Sequence, residues 1–229
     1  MRIALVSTYT HPICLGLRYV SAYLKAAGHD VILLLMSSRR DTTRPDWSEA
    51  ALEDFVERLR DRELIGLSLM TNTFHRACTL TERIRRAGVK APIAWGGTHP
   101  TVAPDESLNV ADITCVGEGE KPMLALVERL QAGRDPTDTA SLWFRAEGPF
   151  GNRSDLRNPL APLEQNLDAY PFPDWDLTTQ WVADRHGLAP ARPDRLRGAL
   201  DTLRVATSRG CPYRCTFCNN AGLQQIHAG

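Results

Sequence analysis

The sequence predicts an α/β domain with a doubly wound parallel sheet over residues 1–138. Two observations carry this. Five short apolar runs alternate with amphipathic stretches, the order that builds a parallel sheet with helices on both faces. The runs are continuously apolar rather than alternating, as strands buried on both sides require. Right-handed crossovers then give a flavodoxin-like, Rossmann-like sheet with strand order 2-1-3-4-5.

In chain order, residues 2–7 form the first strand, and a helix follows from Pro12 to Ala27 with Gly28 as its stop. Asp30–Met36 is the second strand. Ser48 is an N-cap candidate for a helix to Arg62 that places Leu52, Phe55, Val56 and Leu59 on one face. Leu64–Met70 is the third strand, Thr73–Ala87 the third helix, and Ala91–Trp95 the fourth strand. Asp112–Val116 is the fifth, before a helix over Pro122–Leu130.

Residues 139–200 read as a different kind of chain. Ser141–Arg153 predicts a β-hairpin turning at Glu147-Gly148-Pro149. Asn158–Asp176 carries Pro159, Pro162, Pro171 and Pro173 and predicts an extended connector, because proline at this density fits neither a core helix nor a central strand. Arg185–Leu200 is Arg-rich and weakly helical, and Leu203–Ser208 predicts the first strand of a second domain spanning 201–229.

Composition limits the function classes. The chain has 229 residues, 43% hydrophobic and 24% charged, with zero formal net charge, which suits one domain and part of another. Balanced charge argues against a nucleic-acid or membrane-surface partner. All basic residues but Lys25, Lys90 and Lys121 are arginine, which reads as genome composition. No apolar run reaches the roughly 18 residues of a membrane span, and Met1-Arg2 leads directly into the first strand without a signal peptide. Six cysteines without a leader are expected as thiols or metal ligands in the cytoplasm.

In such a sheet, ligands bind outside the carboxyl ends of the strands. Four loops gather there: Ser7–His11, Ser68–Phe74, Gly96-Gly97-Thr98-His99-Pro100-Thr101, and Gly117-Glu118-Gly119-Glu120. Paired glycines allow close backbone approach, and hydroxyls supply neutral hydrogen bonds. Any one such turn is ordinary strand closure; four on one edge predict a ligand cleft. A dinucleotide is disfavoured because the first strand lacks G-x-G-x-x-G. Ser7 and Ser68 stand where a phosphoacceptor receiver would carry acids. Flavin mononucleotide remains an alternative.

The second chemical signal is Arg209-Gly210-Cys211-Pro212-Tyr213-Arg214-Cys215-Thr216-Phe217-Cys218. Its C-x3-C-x2-C spacing brings three thiolates from one loop to one inorganic centre. Iron–sulfur clusters usually take four, so one iron is left open. Zinc would want a fourth ligand, and His227 stands too far on for finger spacing. A disulfide would strand one of the three cysteines. Cys14, Cys78 and Cys115 read as small buried packing residues.

The run SRGCPYRCTFC resembles the cluster loop of the radical S-adenosylmethionine (SAM) enzymes. The resemblance implies a [4Fe–4S] cluster on Cys211, Cys215 and Cys218, with SAM on the open iron and cleaved on reduction. GGTHPT and GEGE, in this order ahead of that loop, resemble the cobalamin-binding domain of the B12-dependent members. In that group the corrin lies over the carboxyl edge of the sheet and its nucleotide tail enters the domain. The resemblance implies that Gly96, Gly97, Thr98, His99, Gly117, Glu118 and Gly119, with Ser68 from the third-strand loop, lie close to cobalamin. The D-x-H-x-x-G cobalamin motif is absent: Tyr9 stands two residues before His11, and Gly16 five after it. His11 is therefore either a cobalt ligand or a loop residue.

The resemblance implies methyl transfer to an unactivated centre or radical cyclisation, on a small-molecule or peptide substrate. The reductant would be a flavodoxin or ferredoxin. Only 11 residues follow Cys218, whereas one strand–helix unit with its next strand takes roughly 30. The expectation is an N-terminal part with an incomplete barrel, not catalytically competent alone. Two alternatives are a non-catalytic cobalamin module with a vestigial cluster loop, and a methylthiotransferase using Cys14, Cys78 and Cys115, whose spacing fits poorly.

Overall fold

A computed structural model describes residues 1–9, 11–36, 48–151, 154–184, 187–194, 196, 204, 206–213 and 215–228. The elements are β1 (Arg2–Ser7), α1 (Leu15–Ala26), β2 (Asp30–Met36), α2 (Glu49–Leu59), β3 (Leu64–Ser68), α3 (Phe74–Arg86) and β4 (Ile93–Gly96). They continue with α4 (Thr98–Val102), α5 (Pro104–Leu108), β5 (Ile113–Cys115) and α6 (Glu120–Gln131). Last come β6 (Leu142–Phe144), β7 (Leu156–Arg157), β8 (Gln180–Asp184), β9 (Gly187–Pro190) and α7 (Asn220–Ala228).

The strands form one sheet in the order β7-β6-β5-β4-β3-β1-β2-β8-β9. Its centre is the predicted 2-1-3-4-5 arrangement, and these five strands pair in parallel. Alternate strand residues go to opposite faces. Ala4, Val6, Ile65, Leu67, Ile93 and Trp95 pack with Leu52, Phe55 and Leu59 of α2 and Leu80 and Ile84 of α3. Ile3, Leu5, Leu33, Leu64, Ala94 and Ile113 pack with Leu17 and Leu24 of α1 and Met123, Leu126 and Val127 of α6. Ser48 caps α2 as predicted, its hydroxyl accepting from the Ala51 N–H at 3.1 Å.

Several predicted elements need correction. The first helix begins at Leu15, not Pro12, because the buried Arg18 guanidinium takes the Ile13 and Pro12 carbonyls at 2.7 and 3.0 Å. GGTHPT is not a plain loop: Thr98–Val102 forms the short helix α4, and α5 follows it. The hairpin pairs β6 with Leu156–Arg157, beyond its predicted end, and β6 also adds antiparallel to β5.

The proline-rich connector is gripped rather than loose. Arg18 Nη1 donates to the Asp174 carbonyl at 2.6 Å, Ser21 Oγ to Asp174 Oδ2 at 2.6 Å, and Lys25 Nζ lies 2.8 Å from the same carboxylate. This delivers the chain to β8, which pairs parallel with β2, and to β9, antiparallel to β8. Within the predicted Arg185–Leu200 helix, Gly187–Pro190 is therefore strand; 185–186, 195 and 197–200 lie outside the described residues. The strand predicted over Leu203–Ser208 lies partly outside them, as do Thr10 and Arg214; Arg204 and 206–208 take no strand. Among the described residues, no helix is long and apolar enough to cross a membrane.

Candidate functional site

The carboxyl ends of β1, β3 and β4 are tied into one rim. The Thr8 N–H donates to the Ser68 carbonyl at 3.1 Å, and the Leu69 N–H to the Gly96 carbonyl at 3.0 Å. Thr101 of α4 joins the two glycine loops: its hydroxyl donates to the Gly97 carbonyl at 2.8 Å and accepts from the Gly117 N–H at 3.1 Å. Gly97 has φ +101°, and a Cβ there would meet the Leu69 carbonyl oxygen at 2.9 Å. No side chain fits that turn.

Beneath the rim lies a cavity of about 400 Å³. Its floor follows from sheet register: Leu5, Gly66 and Ala94 stand side by side across β1, β3 and β4. Gly66 and Ala94 offer almost no side chain to that face, so space opens between the sheet and the helices above it. Leu17 and Val20 of α1 form one wall and Met123 of α6 another. The rim is made by Tyr9, Ser68, Gly96-Gly97-Thr98 and Gly117-Glu118-Gly119-Glu120, with Tyr19, Ala206 and Arg209.

The interior carries no ionised group near neutral pH. Burial pushes the Cys115 thiol up to about 12, with Glu120 adding to the rise. Burial also raises the Cys14 thiol, against hydrogen bonds from Ser7 and Ser68. The Tyr9 phenol, 3.3 Å from Ser68 Oγ, is pushed up to about 12, first by burial. Charge is confined to the mouth. There Arg209 Nη1 lies 3.0 Å from Glu118 and Nη2 2.5 Å from Glu120. Burial opposes the Arg209 charge, but the two carboxylates outweigh it and raise its pKa.

Of the sequence-predicted contacts, Ser68, Gly96, Gly97, Thr98, Gly117, Glu118 and Gly119 line the cavity. His99 does not. It is 2% exposed, its Nδ1 is 3.2 Å from Thr71 Oγ1, and its ring lies 4.7 Å from the Phe74 ring. Burial lowers its pKa, although Glu106, 3.6 Å from Nε2, pulls the other way. His11 is exposed and outside the lining; its Nδ1 accepts from the Ile13 N–H at 3.4 Å. Sequence reading missed Gly66, Ala94, Tyr19, Met123 and Arg209, and included Tyr9 only as part of the Ser7–His11 loop. Gly66 carried a signal, since glycine inside an apolar strand marks close approach by something else.

The cluster loop leaves the mouth at Gly210 (φ +84°). Cys211 and Cys218 are half-buried and Cys215 is exposed. The Cys218 N–H closes a turn on the Cys215 carbonyl at 3.0 Å, and Gln224 of α7 donates to the Cys211 carbonyl. As a donor set, three free thiols on one loop fit an iron–sulfur cluster. Among the described residues, no three His, Cys, Asp or Glu side chains are yet gathered to hold a metal ion.

Comparison with known proteins places this geometry. An uncharacterized methyltransferase of Pyrococcus horikoshii is 26% identical over 212 residues, covering 90% of this chain and 40% of that protein. The anaerobic magnesium-protoporphyrin IX monomethyl ester cyclase of Synechocystis is 26% identical over 216 residues, covering 91% and 38%. The chain thus spans about two-fifths of the length of these curated relatives. The solved structure of the cobalamin-dependent SAM radical enzyme OxsB, with aqua-cobalamin and SAM bound, superposes with a TM-score of 0.65 at 20% identity. That match covers 95% of this chain and 28% of OxsB, and it is a likeness of fold. The model of the B12 binding domain matches residues 1–127, more than half of the chain, which therefore belongs to the B12-binding domain family.

Proposed function

We propose that the chain is the cofactor-binding N-terminal part of a cobalamin-dependent radical SAM enzyme. It would perform methyl transfer to an unactivated centre or a radical cyclisation. The observation that carries the reading is the cavity under the rim. At about 400 Å³ it falls in the range of small-molecule pockets, about 300–1,000 Å³. That is room for the heteroaromatic nucleotide tail of cobalamin, not for the corrin ring. The mostly apolar interior, with the Glu118, Glu120 and Arg209 charges paired to one another at the mouth, suits the tail, and the Gly96-Gly97 and Gly117 rim leaves the backbone bare for the corrin above.

In this reading Ser68, Gly96, Gly97, Thr98, Gly117 and Gly119 hold cobalamin, and His99 supports α4 from behind. His11 lies outside the lining of the tail cavity and takes no part in holding the tail. Cys211, Cys215 and Cys218 hold the [4Fe–4S] cluster, and the cofactors supply reductive SAM cleavage and methyl or radical transfer. The protein's own part is to bury the tail, exclude water from the slot and hold the cluster loop above it. A one-electron donor such as flavodoxin or ferredoxin, and a small-molecule or peptide substrate, complete the proposal.

Anaerobic reconstitution with iron and sulfide tests the cluster half. About four irons per chain with thiolate-to-iron charge-transfer absorption are expected, as for a [4Fe–4S] cluster. Loss of that absorption when any one of the three cysteines becomes alanine supports the assignment. Iron uptake that ignores all three substitutions sinks it and leaves a cobalamin module with a vestigial loop.

A further inference from the structure

Glu118 and Glu120 stand at the cavity mouth, yet their carboxylates face a protein cation. Arg209 reaches both from far along the chain, Nη1 to Glu118 Oε1 at 3.0 Å and Nη2 to Glu120 Oε1 at 2.5 Å. Its guanidinium carbon also sits 5.3 Å from the Tyr19 ring centre and 5.0 Å from that of Tyr170. The Glu120 side chain is 4% exposed and that of Arg209 27%, so the pair is shielded from the screening that weakens surface ion pairs. Four separate pieces of chain converge here: α1 through Tyr19, the Gly117–Gly119 loop, the first turn of α6, and the proline-rich connector through Tyr170. The residue they hold is two positions before Cys211.

The geometry points to Arg209 as a positioning residue that latches the Cys211–Cys218 loop to the rim of the cavity. In doing so it closes the mouth with Ala206. Glu118 and Glu120 are then the catch of this latch rather than cofactor ligands. A planar fork spanning two carboxylates explains arginine here, since lysine offers one compact charge without the fork. The Tyr19 and Tyr170 rings add cation–π attraction to the guanidinium. The role toward cobalamin rests on the function proposed above; the latch itself does not.

Limited chymotrypsin cleavage at Tyr213 and Phe217 reads the latch directly, because cleavage requires the local chain to open. Arg209→Met is expected to speed it at least about fivefold, with Arg209→Lys in between. Glu118→Gln with Glu120→Gln should reproduce the Met effect. All three changes together should add nothing further, which a merely general destabilisation would not give. In parallel, hydroxocobalamin release from Arg209→Met should speed at least about threefold. Unchanged cleavage in Arg209→Met or in the double Gln variant overturns the latch, and unchanged release overturns the closure of the mouth. If the unaltered chain binds no hydroxocobalamin, the cobalamin reading fails, and cleavage alone still decides the latch.

Discussion

The Thr101 hydroxyl accepts a hydrogen bond from the Gly117 N–H at 3.1 Å, joining the loop after β4 to the loop after β5. Thr101 is buried, and its other bond goes to the Gly97 carbonyl. Neither glycine can be held by a side chain of its own, so the last residue of GGTHPT sets their spacing. Thr101→Val keeps the shape but takes the hydroxyl away: the Gly117 N–H loses its acceptor, while the Gly97 carbonyl keeps only the Thr101 N–H at 3.3 Å. Unfolding in urea is expected to show a loss of about 1–3 kcal/mol. Thr101→Ser should recover most of it.

The cavity exists because β3 carries Gly66 opposite Leu5 and β4 carries Ala94 opposite Gly66. A Cβ on Gly66 would approach Leu5 Cδ2 to 2.7 Å, so even alanine pushes that side chain into the slot. Gly66→Ala and Ala94→Leu should each weaken hydroxocobalamin binding at least about tenfold. Overpacking itself is expected to cost about 1–3 kcal/mol, so circular dichroism should still report a folded chain. Full affinity in both variants would remove the slot from the binding site.

Arg18 ties the connector to the sheet. It is fully buried, and it donates to the carbonyls of Pro12, Ile13 and Asp174 and to Gln180 Oε1. Burial lowers its pKa to about 10, with Asp174 opposing the fall. Arg18→Leu takes the guanidinium from the Pro12 and Ile13 carbonyls and Gln180 Oε1, and leaves the Asp174 carbonyl only the Gln180 amide at 3.2 Å. With less positive charge beside Asp174 as well, the change is expected to cost about 3–5 kcal/mol in denaturant unfolding. Amide exchange should accelerate first in β8 and β9, which depend on this anchor.

Alkaline stability follows from the buried acids that cannot ionise. Cys115 titrates near 12 when folded, against an ordinary 9.0. Tyr9 also titrates near 12, against 10.0. Both folded values are raised, so the stability they protect is whole below pH 9 and is lost as pH climbs toward 12. Each group steepens the fall by about 1.4 kcal/mol per pH unit in its window. Melting temperatures between pH 8.5 and 10.5 should drop progressively, and Cys115→Ala should make the slope shallower.

The central sheet was legible because each of its strands is a continuous apolar run closed by glycine or a hydroxyl residue. β8 and β9 were not. Gln180–Asp184 and Gly187–Pro190 are short and mixed in character, and their pairing beside β2 depends on Arg18, Ser21 and Lys25 of α1 holding Asp174 just upstream. In the site, the paired glycines announced the rim in advance. The floor was hidden, since it depends on register between Leu5, Gly66 and Ala94. The Arg209–Glu120 pair was hidden for the same reason, being a contact between residues 89 positions apart. His99 misled because its motif neighbours line the cavity while its own side chain turns into the packing behind α4.

The most direct test is the visible spectrum of this chain titrated with hydroxocobalamin. In the proposed reading the nucleotide tail enters the cavity between α1, α6 and the Gly66–Ala94 floor, which would draw its benzimidazole away from the cobalt of a corrin held above the rim. The account therefore predicts one corrin per chain, bound with its own benzimidazole off the metal. Failure to saturate, or a bound corrin whose benzimidazole stays on cobalt, would contradict it.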